Sequence, residues 1–183
     1  IVSIPEEVAY HLDFVVLPDL SFALLDNQND AVYFIDGEGE FQRKVALTAQ
    51  NRHWQNLNGV VVKDDLVLSE DGDKRILKVD LRSYVVSVLK DFTELHNWLG
   101  AIDYDKGRYY LCQARRCYTF GEEDATKPFC MLDQGVISGL AVEDGVCFLA
   151  DRKSGVIYRV NRKERRPEIF CSGFYKPNDI AIL

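Results

Sequence analysis

The chain has 183 residues, of which 47% are hydrophobic and 28% are charged, and its formal net charge is −7. A chain of this length buries a sizeable core as a single domain, here taken as residues 1–183, without a metal or a disulfide. The negative charge disfavours a general nucleic-acid binder, and no window approaches the ~18 consecutive apolar residues of a membrane helix.

Four segments of the chain repeat the same order of signals. Each segment is aligned on one anchor residue, and the start of a fifth segment supplies one more: Asp13, Gly59, Gly100, Gly139 and Asp179. Successive anchors are 46, 41, 39 and 40 residues apart. A period near forty residues is typical of β-propellers, in which each repeat forms one blade. We therefore expect blades at residues 12–57, 58–98, 99–137 and 138–176.

The second segment illustrates the pattern within a blade. An apolar run at Val60–Val62 meets a turn at Lys63–Asp65, and a second apolar run, Leu66–Leu68, leads into a polar loop. Ile76–Asp80 then alternates between apolar and polar residues. Alternation of period two, β-branched residues and Gly, Asp and Asn turns predict strands, and no segment holds a sustained helical stripe. The fold class is therefore all-β, with about four four-stranded propeller blades.

The last seven residues, 177–183, are predicted to add one further inner strand. Pro177-Asn178-Asp179 is a turn signal, and an apolar run follows it. Three interpretations stay open: the strand closes a small ring by pairing with N-terminal residues, the chain is part of a larger propeller, or two chains complete one ring. Because an unpaired edge strand invites pairing, self-association is a further prediction.

Two stretches, ALLDNQNDAVYFIDGEGE from Ala23 and DGVCFLADRKSGVIYRVN from Asp144, resemble NHL-type repeats. The consensus of such repeats is an apolar strand, Gly, a "YVAD"-like second strand, a polar turn and another apolar strand. The resemblance covers almost the whole chain. It implies kinship with the senescence-marker, gluconolactonase and paraoxonase propellers, which are usually six-bladed.

The loops that join successive blades carry the candidate ligand-binding residues. In a propeller these loops gather at one face around the central channel, and here they read AYHLD, RHWQNLNG, LHNWLG, LDQGVISG and SGFYKPND. Imidazoles, indoles and amides on a concave face are typical of small-ligand sites. The candidates are His53, Trp54, Asn58, His96, Trp98 and Tyr175. The competing interpretation is that these rings wedge one blade against the next.

A calcium site is implied by the family resemblance. In the gluconolactonase and paraoxonase pattern, an Asn before an inner strand ligates calcium, and Asn178 and Asn58 match that position. Amide oxygens suit calcium, although Pro-Asn-Asp also makes an ordinary Asx turn. If the metal is present, His53 or His96 would be the catalytic general base. A three-histidine zinc site is disfavoured, because the histidines in these loops lie at different offsets from the strands.

Three functions follow from these patterns. The first is a binding module that presents its loop face to a protein or small-molecule ligand, the second is a calcium-dependent lactonase or esterase, and the third is a structural assembly segment. Five cysteines without a CxxC pair weakly favour a reducing, cytoplasmic compartment. The basic stretch from Arg159 to Arg166 is interpreted as a solvated hairpin turn, with a local anion contact as the alternative.

Overall fold

The computed structural model describes residues 12–47, 57–92 and 98–182. Within these ranges every regular element is a β-strand, and the sixteen strands form four antiparallel sheets of four strands each. The all-β, propeller-type fold is confirmed. None of the described residues belongs to a helix that could cross a membrane. The chain divides into two compact units, residues 1–94 and residues 95–183, which are described separately below.

Unit 1 holds the first two blades, and in each blade the strands pair in chain order. The strands of blade 1 are β1 Leu12–Val16, β2 Phe22–Asp26, β3 Ala31–Ile35 and β4 Phe41–Ala46. Those of blade 2 are β5 Leu57–Val62, β6 Asp65–Glu70, β7 Arg75–Asp80 and β8 Val86–Asp91. Their apolar faces form one core, which includes Leu25, Phe34, Leu66 and Leu77.

Unit 2 holds blades 3 and 4, with the same order of strand pairing. The strands of blade 3 are β9 Ile102–Asp105, β10 Arg108–Gln113, β11 Arg116–Phe120 and β12 Lys127–Met131. Those of blade 4 are β13 Ile137–Glu143, β14 Val146–Asp151, β15 Val156–Asn161 and β16 Pro167–Ser172. Their core includes Tyr110, Cys117, Phe129 and Leu149. All five cysteines of the chain are free thiols.

Two inner hairpins of unit 2 close with tight two-residue turns. The β9–β10 turn is Lys106-Gly107 and the β13–β14 turn is Asp144-Gly145, and all four residues have positive φ angles between 48° and 83°. Two successive residues with positive φ make the tight turn whose twist matches that of antiparallel strands. Glycine at the second position therefore fixes the register of each hairpin.

A buried polar residue ends the second strand of every blade. These residues, each at most 2% exposed, are Asp26, Glu70, Gln113 and Asp151. Asp26 shows the role of the position: its Oδ1 accepts hydrogen bonds from the backbone N–H groups of Gln28 and Asn29, both at 3.0 Å. The side chain thus organises the turn that leads into the third strand, so this polar position belongs to the repeat itself.

The segment 177–182, predicted as an inner strand, contains no assigned strand. It nevertheless lies against β13, because Ser138 Oγ donates a hydrogen bond of 2.6 Å to the carbonyl oxygen of Pro177. A Cβ atom at Gly139 would lie only 2.7 Å from the Cα of Asp179. The segment therefore runs beside an inner strand. It is not assigned as a strand because its described contacts with β13 are a side-chain hydrogen bond and close packing, with no ladder of backbone hydrogen bonds.

Candidate functional site

The loop from Leu132 to Val136, which joins blades 3 and 4, is held at both ends by backbone hydrogen bonds. The N–H of Leu132 donates to the carbonyl oxygen of Arg115 at 2.9 Å, and the N–H of Ile137 donates to that of Ala114 at 2.8 Å. The Arg115 guanidinium also donates from Nη1 to the carbonyl oxygen of Asp133 at 2.8 Å. The loop is thereby fixed on the β10–β11 turn of blade 3.

Asp151 fixes the same loop to blade 4. Its Oδ1 accepts hydrogen bonds from the N–H groups of Val136, at 2.9 Å, and Lys153, at 3.0 Å, while Oδ2 accepts from Ser154 Oγ at 2.5 Å. Burial raises the pKa of Asp151, but these hydrogen bonds outweigh burial and lower it. Gly135, with φ of 113°, leaves room for the carboxylate, since a Cβ there would lie 2.2 Å from Oδ2.

The segment after β16 packs on the other side of the same hairpin. The N–H groups of Gly173 and Phe174 both donate to the carbonyl oxygen of Gly155, each at 3.1 Å. A Cβ at Gly155 would collide with the Phe174 carbonyl oxygen, at 2.1 Å. Two of the predicted loops, LDQGVISG and SGFYKPND, therefore meet at the β14–β15 turn, at one end of unit 2.

A groove of about 630 Å³ opens where the first of these loops faces β15. It runs from the loop past Tyr158 to the start of β16. Its lining combines apolar side chains with charges of both signs: Met131, Leu132, Asp133, Gln134, Gly135, Asp151, Lys153, Ser154, Tyr158, Arg166 and Pro167. Its volume lies within the ~300–1,000 Å³ range of ligand pockets. We call it the loop groove.

The predicted site residues are only partly described. His53, Trp54 and His96 lie outside the described residues, so the candidate catalytic bases have no structural account. In unit 2, Trp98 and Tyr175 are 45% and 88% exposed, and neither ring lines the loop groove. The ligand-binding role predicted for them stays a prediction.

The two asparagines predicted to hold calcium lie in different units. Asn58 lies on β5, where it pairs with Ser69 and is half-buried. Asn178 is exposed, in the segment beside β13. No group of three or more His, Cys, Asp or Glu side chains among the described residues is arranged to hold a metal ion.

Asp103 on β9 is the inner-strand carboxylate whose pKa is shifted most from its ordinary value. Its pKa is raised to about 6, mainly by burial and to a smaller extent by the neighbouring carboxylates Asp105 and Asp179. Hydrogen bonds from the N–H groups of Tyr104, at 2.7 Å, and Val142, at 2.6 Å, oppose that shift. Since Val142 lies on β13, Asp103 links the inner strands of blades 3 and 4. It is half protonated at mildly acidic pH.

Sequence reasoning missed the lining of the loop groove, although it placed the LDQGVISG loop at this end of the blades. Lys153, Tyr158 and Arg166 come from two different hairpins of blade 4, and none of them belongs to a local motif. The available signal was Gly135, a glycine in a loop that precedes an inner strand. Only the packing of the loop on Asp151 shows why that glycine is required.

Comparison with known proteins identifies the fold and nothing finer. The chain is similar to a chain of a nidogen/laminin complex, with a TM-score of 0.67 and 10% identity over 85% of this chain and 59% of that chain. It is also similar to streptogramin B lyase, with a TM-score of 0.68 and 13% identity over 90% of this chain and 55% of that chain. Its four blades thus span less than two thirds of either structure. The sequence matches no protein-family model and no curated protein.

Proposed function

We propose that this chain is a propeller-type binding module and that the loop groove receives a segment of a protein partner. The observation that carries this proposal is the groove itself. It is an open cleft of about 630 Å³, and its principal loop is fixed by hydrogen bonds to the blades on both sides. A preformed site of this kind avoids the entropic cost of ordering a loop when the partner binds.

The lining of the groove suits a polypeptide segment. Met131, 46% exposed, and Tyr158 offer apolar surface, while Asp133, Lys153 and Arg166 provide charges of both signs around it. An apolar centre with a mixed polar rim is how protein interfaces are built. The similar nidogen chain comes from a complex between proteins, which agrees with this choice of ligand class.

Selection from a random peptide display library tests the proposal. We expect wild-type protein to enrich peptides that no longer bind Gln134→Trp, because the indole would fill the groove from an exposed loop position. The matched control is Glu123→Trp, at an exposed position of the β11–β12 turn that does not line the groove. Enriched peptides that bind both variants and the wild type equally would contradict the proposal.

The alternative function is a calcium-dependent lactonase or esterase of the gluconolactonase and paraoxonase type. It rests on the resemblance to NHL-type repeats, which the buried acid at the end of the second strand in blades 1, 2 and 4 supports. A rise in melting temperature with calcium in the wild type but not in Asn178→Ala would favour this alternative. A solution mass of twice 20.9 kDa would instead favour the assembly function.

A further inference from the structure

A second, smaller groove lies between blades 3 and 4 at the other end of their strands. It has a volume of about 180 Å³, and its lining residues are Arg108, Tyr110, Thr119, Lys127, Phe129, Arg162 and Arg165. Four of these seven side chains carry a positive charge, in a chain whose net charge is −7. We call it the cationic groove.

The cations of this groove converge from both blades. Arg162 and Arg165 lie in the β15–β16 turn of blade 4, and the Arg165 guanidinium Nη1 lies 3.5 Å from the carbonyl oxygen of Pro128 on β12 of blade 3. Lys127 is the first residue of that same strand. Arg165 of blade 4 therefore reaches across to blade 3, where Lys127 lines the same groove.

Arg108 is the groove cation that forms an ion pair with another described residue. Its Nη1 pairs with Asp124 Oδ2 at 2.8 Å, and its Nε donates to Thr119 Oγ1 at 3.2 Å. Lys127 and Arg162 form no ion pair with any of the residues that the structure describes. Asp124 balances Arg108, and the Asp105 carboxylate acts on the Tyr110 hydroxyl together with Arg162. Four cations against these two carboxylates leave an excess positive charge that an anion would neutralise.

The floor of the groove holds an unsatisfied hydroxyl group. Tyr110 is 0% exposed, and its Oη has no hydrogen-bond partner among the residues of ranges 12–47, 57–92 and 98–182. The ring is held edge-on to Phe129, with centroids 5.2 Å apart. Burial raises the pKa of Tyr110, so the phenol keeps its proton at neutral pH. A buried hydroxyl without a partner is costly, and an acceptor inside the groove would remove that cost.

We propose that the cationic groove binds a phosphate-type dianion, as free phosphate or as the phosphate group of a small phosphorylated molecule. Guanidinium groups match the paired oxygens of phosphate, and the Tyr110 and Thr119 hydroxyls supply two further donors. The volume of about 180 Å³ is below that of pockets for drug-sized ligands, which limits the enclosed part to a small anionic group. The cationic groove shares no lining residue with the loop groove, and the two adjoin at the β15–β16 turn, where Arg165 lines one and Arg166 the other.

Calorimetric titration with inorganic phosphate and with methyl phosphate, at low ionic strength, tests the proposal. The test variant is Arg162→Leu/Arg165→Tyr, which installs the residues found at the equivalent turn of unit 1, Leu81 and Tyr84. We expect the affinity for either anion to fall at least about a hundredfold, because two charge-assisted contacts are lost. Tighter binding of methyl phosphate would identify a small phosphorylated molecule as the natural ligand. Tighter binding of inorganic phosphate would identify the free ion as the ligand.

Two further variants separate a built site from general attraction by positive charge. Tyr110→Phe keeps the packing and the charge, and we expect it to weaken phosphate binding about tenfold while leaving the melting temperature without phosphate unchanged or higher. Lys163→Leu removes one charge from the same turn but does not line the groove, and we expect it to change the affinity less than about twofold, through screened long-range attraction alone. No binding to wild type, unchanged binding in Tyr110→Phe, or equal losses in the Lys163 and arginine variants would overturn the proposal.

Discussion

Equivalent positions of the two units share a backbone and differ in their chemistry. The strand registers align Phe34 with Thr119 on the third strands of blades 1 and 3. They also align Leu81 and Tyr84 in blade 2 with Arg162 and Arg165 in blade 4. The N–H of Leu81 bonds to the carbonyl oxygen of Asp64, as that of Arg162 bonds to Gly145. The turn geometry is therefore common to both units.

In unit 1 these positions form an aromatic cluster. The rings of Phe34 and Tyr84 meet edge to face with centroids 4.9 Å apart, and the Arg43 guanidinium lies 4.5 Å from the centre of the Tyr84 ring. Lys127, the equivalent of Arg43, faces Arg162 and Arg165 in unit 2. In unit 1 the cation Arg43 thus lies on the aromatic face of Tyr84. In unit 2 the cations surround the Tyr110 hydroxyl, which has no hydrogen-bond partner among the described residues. The comparison teaches that the blade backbone leaves its surface chemistry free to vary.

The largest expected effect on stability comes from replacing Phe34 of unit 1 with threonine, the residue at the equivalent position of unit 2, Thr119. Phe34→Thr should lower the free energy of unfolding by about 3 kcal/mol, because it removes a ring that is 3% exposed and its contact with Tyr84. Urea denaturation followed by circular dichroism measures this loss. The control is Thr119→Val, for which we expect about 1 kcal/mol from the lost hydrogen bond with Arg108. Equal losses would show that Phe34 has no special role in unit 1.

A second difference between the units lies on the inner strands. Asp103 occupies the position of Val15 in blade 1, and its pKa is raised from 3.8 to about 6. Because the folded state holds the proton more tightly than the unfolded state, stability should fall by about 2 kcal/mol as pH rises from about 4 to about 6. The difference in unfolding free energy between wild type and Asp103→Asn, measured across that range, reports this change. A carboxyl ¹³C titration midpoint for Asp103 near 4 would contradict the prediction.

The smallest effect concerns the two equivalent cations. Arg43→Gln should lower the free energy of unfolding by about 0.5 kcal/mol, since it removes an exposed contact with the Tyr84 ring. Lys127→Gln should leave stability unchanged or raise it by a few tenths of a kcal/mol without phosphate, because it relieves repulsion from Arg162 and Arg165. Thermal unfolding of both variants in phosphate-free buffer compares them. A destabilising Lys127→Gln would show that this lysine is already neutralised.

The sequence predicts the strands well because their signals are local. The apolar runs and the turns with Gly, Asp and Asn each lie within one repeat. In blade 2, the predicted runs Val60–Val62 and Leu66–Leu68 fall within β5 and β6, and the predicted turn at Lys63–Asp65 lies where these strands meet. Of the strand predicted at 177–183, the described residues 177–182 form no strand, because a strand needs backbone pairing that no local pattern supplies. The interpretation of the basic stretch as a solvated hairpin turn is confirmed, since Arg162 and Arg165 are exposed in the β15–β16 turn. The alternative, a local anion contact, is the basis of the proposal for the cationic groove.

The lining of the two grooves could not be predicted from the sequence, because its residues come from separate strands and blades. Arg108 and Tyr110 lie on β10 and Lys127 lies on β12 of blade 3. Arg162 approaches them only because blade 4 packs alongside. Each residue alone has an ordinary explanation as a surface cation or a core ring. Once the registers are known, the replacement of Leu81 and Tyr84 by two arginines becomes the signal that sequence comparison within the chain could have used.

A phosphate titration followed by two-dimensional ¹H–¹⁵N NMR tests the contrast between the units most directly, because every backbone amide reports separately. We expect saturable shifts for the amides of Thr119, Arg162 and Arg165, and no shifts beyond the effect of ionic strength for Phe34, Leu81 and Tyr84. Shifts of equal size at both sets of positions, or none at either, would contradict the conclusion that one backbone carries an aromatic cluster in unit 1 and an anion site in unit 2.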